Sequence, residues 1–486
     1  MKIKMTLAAL AALTTTVTFA RTQNLTLWRG ETRVEILREQ TRLGVPPIGI
    51  AVKTGTAKSV RYLDRPLGTH YGEFADRVEW GSAEPGVKVL SVSVGEGVKS
   101  GEYQIGDLKV KVLDRVLPQP KDWQFYLDLW QHPWAVARYF GVEPFSPAHY
   151  AAMKPVWEQL ATAGNKTLTV SLLEQPWDHQ CYDAYHSMVR RIKLANGQWR
   201  FDYRLFDEYV AFGRACGLGK HIACYTMCPW GYVVRWEDEA GNVKSAKALP
   251  GTPEFADFWG DFIVDFSAHL KAKGWFDDTF IAMDERSPED VMNICKFLQA
   301  KAPGLKVSLA GNRAPSDFKG IDIQNYCSGL GHLTDALVAE AAERRAKGYI
   351  TTFYVCCGPR YPNTFATSEC EEAFWLGAYP AMVGLDGFLR WAWNSWPQDP
   401  VRDASYGEWL PGDTFLVYPD GAPSLRFLEL RNGIVVAEKV RILREKGLFA
   451  KELADLTAQY DRSQAMGNKC NWRTLRNRTL DTVNRE

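Results

Sequence analysis

The sequence carries almost no excess of charge of either sign. It has 58 Lys and Arg residues against 57 Asp and Glu residues, and a formal net charge of +1. Proteins that bind nucleic acids or anionic membrane surfaces usually concentrate positive charge on one face or segment. The balanced charge therefore gives no indication of a nucleic-acid or membrane-surface partner, and the composition is that of a globular protein.

Motifs for nucleotide cofactors and metal ions are also missing. No Gly-x-Gly-x-x-Gly segment follows a first strand, and no Walker-type phosphate loop is present. His221, Cys224 and Cys228 lie close together, but no second compact pair completes four zinc ligands. Most of the 10 cysteines fall in predicted strands and helices, where a free thiol behaves as a small hydrophobic group. We therefore expect no cofactor and no metal.

The N-terminus has the pattern of an export signal. Lys2 and Lys4 precede an apolar stretch that ends with small residues at Thr18 and Ala20. The stretch is short for a bilayer span, and no later segment is a credible span. We predict a cleaved signal peptide at residues 1–20 and a periplasmic or secreted mature protein, either a monomer or a homodimer.

Residues 21–120 are predicted to form a small antiparallel β-sandwich. Short runs of apolar residues, several of them alternating with polar ones, are separated by Gly, Pro and Asp turns, which is typical of such sheets. The predicted strands lie at 25–28, 34–37, 49–52, 87–92, 101–105 and 108–113.

Residues 121–422 alternate apolar runs with amphipathic helical stretches. This pattern predicts a TIM-type (β/α)8 barrel, with a doubly wound open sheet as the alternative. Only the fifth crossover, 311–320, is too short for a full helix, and 231–248 is predicted to be an inserted hairpin. A C-terminal helical segment, 423–486, follows, and its last 20 or so residues are expected to fray. The predicted barrel strands lie at 124–130, 167–173, 221–225, 279–283, 306–310, 321–326, 349–355 and 387–393.

The fourth barrel strand ends in two adjacent carboxylates, Asp284 and Glu285. Ser287 then has the pattern of a helix N-cap, with Pro288 at the first helical position. The pair therefore lies at a strand-to-helix junction on the face where barrel enzymes collect catalytic groups. A solvated turn is the ordinary alternative for an Asp-Glu pair, but this position favours catalysis.

The other predicted strand ends are rich in aromatic and amide side chains. Such groups stack on sugar rings and hydrogen-bond to hydroxyls, although any single one could equally be a packing residue. The abundance of 18 Trp residues agrees with a sugar-binding cleft. The predicted substrate-binding residues are Trp130, His132, Glu174, Tyr225, Asn312, Tyr326, Tyr354, Trp391, Trp393 and Asn394.

The arrangement of acidic residues favours one hydrolytic route. Most retaining glycosidases pair an acid/base with a carboxylate nucleophile about 5 Å away. Here the seventh strand ends in Cys356 and Cys357 rather than in an acid, and Glu174 is a more remote candidate. Adjacent carboxylates suit substrate-assisted cleavage, in which the 2-acetamido oxygen of the sugar attacks the anomeric carbon.

The sequence resembles the catalytic domain of glycoside hydrolase family 123, the β-N-acetylgalactosaminidases. The resemblance covers most of the mature chain. It implies retaining release of terminal β-linked N-acetylgalactosamine, with Asp284 orienting the acetamido group and Glu285 as general acid/base. The segments that carry it are 101–103, 125–133, Met283-Asp284-Glu285, Arg390-Trp391-Ala392-Trp393-Asn394, 412–421 and 424–433.

Two alternatives remain open at this point. An exo-glycosidase for a different sugar could use Glu285 as acid/base with Glu174 as its partner. A non-catalytic glycan-binding protein could have kept the barrel and its aromatic residues, but the intact Asp284-Glu285 pair argues against it.

Overall fold

The computed structural model describes residues 23–37, 43–63, 70–318 and 320–486. The predicted signal peptide, 1–20, lies outside the described residues. The described chain falls into two compact units, one within 1–57 and 79–117 together with Glu486, the other within 58–78 and 118–485. The domain boundaries proposed at residues 120 and 422 stay predictions.

The strands are numbered in chain order. They are β1 (Gln23–Arg29), β2 (Thr32–Leu37), β3 (Ile50–Leu63), β4 (His70–Trp80), β5 (Val87–Val94), β6 (Gly101–Ile105), β7 (Leu108–Val116), β8 (Tyr126–Leu129), β9 (Thr167–Ser171), β10 (Arg190–Lys193), β11 (Trp199–Asp202), β12 (His221–Tyr225), β13 (Val233–Asp238), β14 (Val243–Lys247), β15 (Thr279–Met283), β16 (Lys306–Gly311), β17 (Asn325–Gly329), β18 (Ile350–Tyr354) and β19 (Gly387–Arg390).

The α-helices follow the same order. They are α1 (Pro133–Phe140), α2 (Pro147–Ala161), α3 (Arg204–Ala215), α4 (Pro253–Lys273), α5 (Pro288–Lys301), α6 (Asp335–Ala346), α7 (Cys370–Val383), α8 (Leu425–Glu445), α9 (Ala450–Thr457), α10 (Arg462–Met466) and α11 (Trp472–Val483). Within the described residues, none of the helices combines the length and the apolar character needed to cross a membrane.

The first unit contains two small sheets that share a hydrophobic core. One sheet has the order β1-β7-β6, and the other is formed in this unit by β2, β5 and residues 50–57 of β3, in the order β2-β5-β3; most of β4 falls in the second unit. Leu27, Leu90 and Leu108 are buried together in their common core. The predicted sandwich is confirmed, with one difference: β1 pairs with β7 in parallel. Strand β4 escaped sequence analysis because its polar residues and glycine hide the alternation.

The second unit contains the predicted barrel. Eight strands pair in the order β8-β19-β18-β17-β16-β15-β12-β9, and every pairing along this order is parallel. Between β8 and β9 side chains take over part of the backbone ladder. Asn165 Oδ1 accepts from Leu129 N, and Gln131 Oε1 accepts from Thr169 N, both at 2.9 Å. The barrel prediction is confirmed, and the open-sheet alternative is wrong.

Most barrel elements lie where the sequence predicts them, but one strand is displaced. β12 and β15 have the predicted bounds, and the fifth crossover contains only a short 3₁₀ turn, Pro315–Asp317. The sixth strand begins at Asn325 rather than at residue 321. Gln324 Oε1 accepts a hydrogen bond from Val307 N, and the backbone ladder with β16 begins at the next residue, Asn325.

The inserted hairpin is present but belongs to a larger sheet. β13 and β14 pair antiparallel within 231–248, as predicted. The loop after β9 contributes a second hairpin, β10 and β11, and β10 pairs with β13. Two barrel loops therefore build one four-stranded sheet, which sequence analysis found only in part.

The C-terminal helices are firmly packed. Gly377 of α7 and Gly433 of α8 let the two helices approach so closely that a Cβ at Gly433 would lie 2.2 Å from Phe374 O. The expectation that the last residues fray is wrong. Arg476 of α11 is buried and bonds Glu429 of α8 at 2.7 Å, so the polar terminus has partners inside the fold.

Candidate active site

A cavity of about 180 Å³ opens at the C-terminal ends of the barrel strands. The residues around it come from strand ends β8, β15, β18 and β19, from β16, and from long loops. Aromatic, acidic and thiol side chains dominate its wall. The lining residues are Trp130, Gln180, Trp230, Asp284, Glu285, Ala310, Tyr354, Cys356, Cys357, Leu389, Trp391 and Trp409.

Asp284 is held in a fixed orientation at the end of β15. Its Oδ1 accepts hydrogen bonds from Arg286 Nε at 3.2 Å and Nη2 at 3.1 Å. Its Oδ2 accepts one from Trp230 Nε1 at 2.9 Å. The local geometry follows from the sequence, because Ser287 caps α5 through Asp290 N, so the chain turns sharply after the pair.

Burial disfavours the charged form of Asp284, whereas hydrogen-bond donors around it favour that form. Only 14% of its side chain is exposed, and burial raises the pKa of the carboxyl. Arg286 and the Trp230 indole lower that pKa, while neighbouring Glu285 raises it. The Arg286 guanidinium also lies over the Trp230 ring, 4.0 Å from its centroid. These contacts lock the three side chains into one unit.

Glu285 faces the cavity from the same strand end. Its side chain is exposed, and Oε1 accepts a hydrogen bond from the hydroxyl of Tyr354 at the end of β18. Burial and the nearby Glu285 raise the pKa of Tyr354, which keeps this phenol protonated as a donor. The cavity thus holds one carboxylate with both oxygens restrained by the protein and a second carboxylate anchored through Oε1.

Indole rings form much of the remaining wall. Trp391 and Trp409 pack edge to face with centroids 5.7 Å apart, and Trp130 stacks on Trp177 at 5.0 Å. Trp409 Nε1 donates to Gln180 O at 3.1 Å, which ties two long loops together. Flat apolar faces beside carboxylates suit the alternating apolar and hydroxyl surfaces of a sugar.

A buried ion pair supports this wall from behind. Arg390 Nη2 lies 2.6 Å from Asp413 Oδ1, and neither side chain is exposed. The same Oδ1 accepts a hydrogen bond from Trp391 Nε1 at 3.2 Å. Asp413 therefore positions the indole that lines the cavity.

Of the twelve residues predicted for the site, five line the cavity together: Trp130, Asp284, Glu285, Tyr354 and Trp391. They stand on or directly after four different strands. A role for each of them in substrate binding or catalysis stays a prediction.

Three predicted residues are fully buried and do not line the cavity. Asn394 Oδ1 accepts from His132 N at 2.8 Å, and its Nδ2 donates to His132 O at 3.0 Å. Trp393 donates its indole N–H to Val156 O. Burial lowers the pKa of His132 to about 3, so its ring is neutral. These residues join loops rather than line the cavity.

The remaining four predicted residues are dispersed. Tyr225 is buried against the back of Trp130, with ring centroids 4.5 Å apart. Tyr326 is buried because β17 is displaced, so it lies inside the strand rather than at its end. Glu174 bonds His186 Nδ1 at 2.8 Å, and Asn312 is exposed and does not line the cavity.

Sequence analysis missed several lining residues. Trp230 lies in the loop between β12 and β13, where no periodic pattern predicts the direction of its side chain. Gln180 and Trp409 come from long loops for the same reason. Cys356 and Cys357 could have been found, because they follow the seventh strand directly. Within the described chain, no group of three or more His, Cys, Asp or Glu side chains is arranged to hold a metal ion.

Comparison with known proteins identifies the class. The model of the glycoside hydrolase 123 catalytic domain matches residues 130–443. A family 123 glycoside hydrolase from Clostridium perfringens, studied for the details of glycolipid glycan hydrolysis, superimposes with a TM-score of 0.81 at 22% identity, covering 96% of this chain and 93% of that one. A comparison with curated protein sequences gave no match.

Other solved glycoside hydrolases are much less similar. An endo-β1,6-glucanase gives a TM-score of 0.40 at 9% identity, covering 80% of this chain and 84% of that one. An exo-β-1,4-mannosidase from Opitutaceae bacterium strain TAV5 gives 0.35 at 11% identity, with 66% and 60% covered.

The protein is therefore a glycoside hydrolase. Because the catalytic-domain model extends over more than half of the chain and includes Asp284 and Glu285, it belongs to glycoside hydrolase family 123.

Proposed function

We propose that this enzyme releases terminal β-linked N-acetylgalactosamine from glycans, in an exo-acting, retaining and substrate-assisted reaction. The observation that carries the proposal is the restraint of Asp284 beside Glu285. Among the described lining residues these two are the only carboxylates, so a separate carboxylate nucleophile has no candidate in the wall.

The proposed first step uses the two carboxylates differently. Asp284 accepts the acetamido N–H of the substrate and holds its carbonyl oxygen under the anomeric carbon. That oxygen attacks the carbon as Glu285 donates a proton to the departing glycosidic oxygen. The products are an oxazolinium ion, stabilised by the Asp284 carboxylate, and the free aglycone.

The second step reverses these roles. Glu285 removes a proton from water, which attacks the anomeric carbon from the face that the aglycone left. The carbon–oxygen bond of the oxazolinium ring breaks and the acetamido group is restored. Two inversions give net retention of configuration. Carboxylate oxygens each offer two lone pairs, so Asp284 can accept the substrate N–H while keeping Trp230 and Arg286.

The shape and chemistry of the cavity support a terminal sugar as the substrate. The cavity is small, and indoles of Trp130, Trp230, Trp391 and Trp409 present apolar faces around the carboxylates. The Clostridium perfringens relative was studied for glycolipid glycan hydrolysis, so we propose glycolipid glycans as one natural source of the terminal sugar.

Hydrolysis of aryl β-glycosides tests the proposal. The wild-type enzyme is expected to cleave the β-N-acetylgalactosaminide faster than the β-N-acetylglucosaminide, and to be inhibited by a galactosamine-derived thiazoline. Asp284→Asn and Glu285→Gln should both lose this activity. Glu289→Gln is the matched control, since Glu289 is exposed on the first turn of α5 outside the cavity lining.

Other outcomes would redirect the proposal. Cleavage only of sugars that lack a 2-acetamido group would overturn it and favour an exo-glycosidase of different specificity. Saturable glycan binding without turnover would favour a non-catalytic role. Export is a separate proposal: N-terminal sequencing of the protein from the periplasm or medium should begin at Arg21.

A further inference from the structure

Two cysteines adjacent in sequence line the same cavity as the carboxylates. Cys356 and Cys357 follow β18, the strand that ends in Tyr354. Their Sγ atoms lie 3.8 Å apart, and both are thiols. Cys357 is exposed, and Cys356 is half-buried. The pair therefore presents two sulfur atoms, side by side, to whatever enters the cavity.

The turn that carries the pair is held from behind. Asn363 Nδ2 donates to Cys356 O at 3.0 Å and to Pro359 O at 2.7 Å. Asn363 Oδ1 in turn accepts a hydrogen bond from Arg390 Nη1 at 3.1 Å. Asn363 and Arg390 are fully buried. The two thiols thus belong to the ordered wall of the site.

The two thiols are chemically unequal. The contact between the two sulfur atoms lowers the pKa of Cys357 and raises the pKa of Cys356. Thiolates, rather than thiols, attack disulfides and metals. Burial raises the pKa of the other eight cysteines of the chain, for example those of Cys216 and Cys295 to about 11 and about 12, respectively. Cys357 is therefore the expected point of attack.

We propose that Cys356 and Cys357 form an oxidisable dithiol site, which small-molecule disulfides convert into an intrachain disulfide, and that this oxidation blocks hydrolysis. The Cys357 thiolate attacks one sulfur of the disulfide and releases the first thiolate. The Cys356 thiol gives its proton to solvent, and its sulfur then attacks Cys357 Sγ and releases the second thiolate. The protein loses two protons and two electrons, and the small disulfide takes them up to become two thiols.

Geometry predicts that this disulfide is readily reduced again. Its sulfur atoms must approach to about 2.05 Å, and disulfides usually join Cα atoms at least about 4.4 Å apart. Adjacent residues across a trans peptide have Cα atoms only about 3.8 Å apart. Strained disulfides are the labile ones, so the site should switch with the surrounding thiol and disulfide pool.

The expected effect on activity follows from the position of the sulfurs. Formation of the disulfide draws the two Sγ atoms together in the wall that also contains Tyr354 and Glu285. It also removes a thiolate from the cavity. Since misplacing a contact by about 1 Å can cost up to about 100-fold in rate, we expect kcat/KM to fall at least about tenfold and to recover with dithiothreitol.

The test treats the reduced full-length protein with oxidised glutathione. Peptide mass spectrometry should find the loss of two hydrogens in the peptide that contains residues 356 and 357. Cys356→Ser should instead retain one glutathionyl group on Cys357, because the resolving thiol is gone. Cys470→Ser is the matched control, a half-buried cysteine outside the cavity lining, and should behave like the wild type.

Two results would overturn the proposal. One is oxidation elsewhere, with the 356–357 peptide still fully reduced. The other is complete formation of the disulfide between Cys356 and Cys357 with unchanged kcat/KM. If the serine variant does not fold, phenylarsine oxide provides a second measurement on the wild type: a dithiol takes up one arsenic with loss of water, and failure to bind at these residues counts against the site.

Discussion

Asp284 and Asp413 are surrounded by the same kinds of group, yet they belong to different regions of the barrel mouth. Each pairs with an arginine, Arg286 or Arg390, and each accepts an indole N–H from a tryptophan that lines the cavity. Asp284 is 14% exposed and is itself part of the lining, whereas Asp413 is wholly buried behind Trp391.

Asp284 and Asp413 differ in how their two carboxylate oxygens share the hydrogen-bond donors. Asp284 divides its partners, with Arg286 on Oδ1 and Trp230 on Oδ2. Asp413 receives both arginine and indole on Oδ1, while Oδ2 is buried without a hydrogen-bond partner among the described residues. The first arrangement orients a carboxylate toward the cavity, and the second anchors a wall. A buried Asp–Arg–Trp group therefore does not identify a catalytic residue unless a carboxylate oxygen can reach substrate.

The largest effect is expected for catalysis at Asp284. Asp284→Asn keeps the shape but removes the charge proposed to stabilise the oxazolinium ion, and kcat/KM should fall about 10²–10³-fold. The free energy of unfolding should fall less than in Asp413→Asn, because the Asp284 and Arg286 side chains are 14% and 6% exposed, whereas those of Asp413 and Arg390 are fully buried. Steady-state kinetics and urea unfolding measure both quantities. A large loss of stability with unchanged turnover would mean that Asp284, like Asp413, has a structural rather than a catalytic role.

The next largest effect is expected for stability at Asp413. Asp413→Asn leaves the Arg390 charge buried without its counterion, which typically costs about 3–5 kcal/mol in the free energy of unfolding. Urea unfolding measures this loss. The double variant Asp413→Asn, Arg390→Gln should regain part of it, because no uncompensated charge remains. Additive losses in the double variant would contradict this explanation.

Asp128 is a third buried aspartate and, unlike Asp284 and Asp413, it has no arginine partner among the described residues. Asp128 on β8 is 1% exposed, and its Oδ1 has no hydrogen-bond partner within the part of the chain that the structure describes. Burial raises its pKa from 3.8 to about 7. The pKa of Asp128 is higher in the folded state than in the unfolded state, so the folded state binds the proton more tightly. The resulting stabilisation is fully present below pH 3.8 and is lost as the pH rises through 7.

Asp128→Asn should therefore change how stability depends on pH. As Asp128 ionises, the free energy of unfolding of the wild type should fall by up to about 4 kcal/mol between low pH and about pH 8. The neutral amide of the variant should not cause this fall. Thermal unfolding of both proteins at about pH 5 and pH 8 measures the difference. Parallel pH profiles for wild type and variant would show that Asp128 is not held neutral.

Asp284, Asp413 and Tyr326 show which parts of the site could be predicted from the sequence. Asp284 was predicted because β15 is a short apolar run bounded by an N-cap and Pro288, which are local signals. Asp413 was missed as a site residue because its partner Arg390 is 23 positions away and only the fold joins them. Tyr326 was misplaced because the predicted strand ends at residue 326, whereas β17 begins at Asn325 and continues to Gly329.

The smallest effect is expected for the indole donors. Trp230→Phe removes the hydrogen bond to Asp284 Oδ2 but keeps an aromatic ring for Arg286. A hydrogen bond to a charged group contributes about 1.5–3 kcal/mol, so kcat/KM should fall roughly tenfold or somewhat more. That hydrogen bond also lowers the pKa of Asp284, so its loss raises the pKa further.

The pH profile separates this role from simple packing. If Asp284 acts as a carboxylate, the acidic limb of kcat/KM should move to higher pH in Trp230→Phe, because the variant needs a higher pH to ionise Asp284. Trp391→Phe is the matched comparison: it removes an indole N–H from Asp413, which stays paired with Arg390 behind the wall. Its acidic limb should not move. Equal shifts in both variants would mean that the tryptophans act only through the shape of the cavity, and that the two aspartates differ less than their exposure suggests.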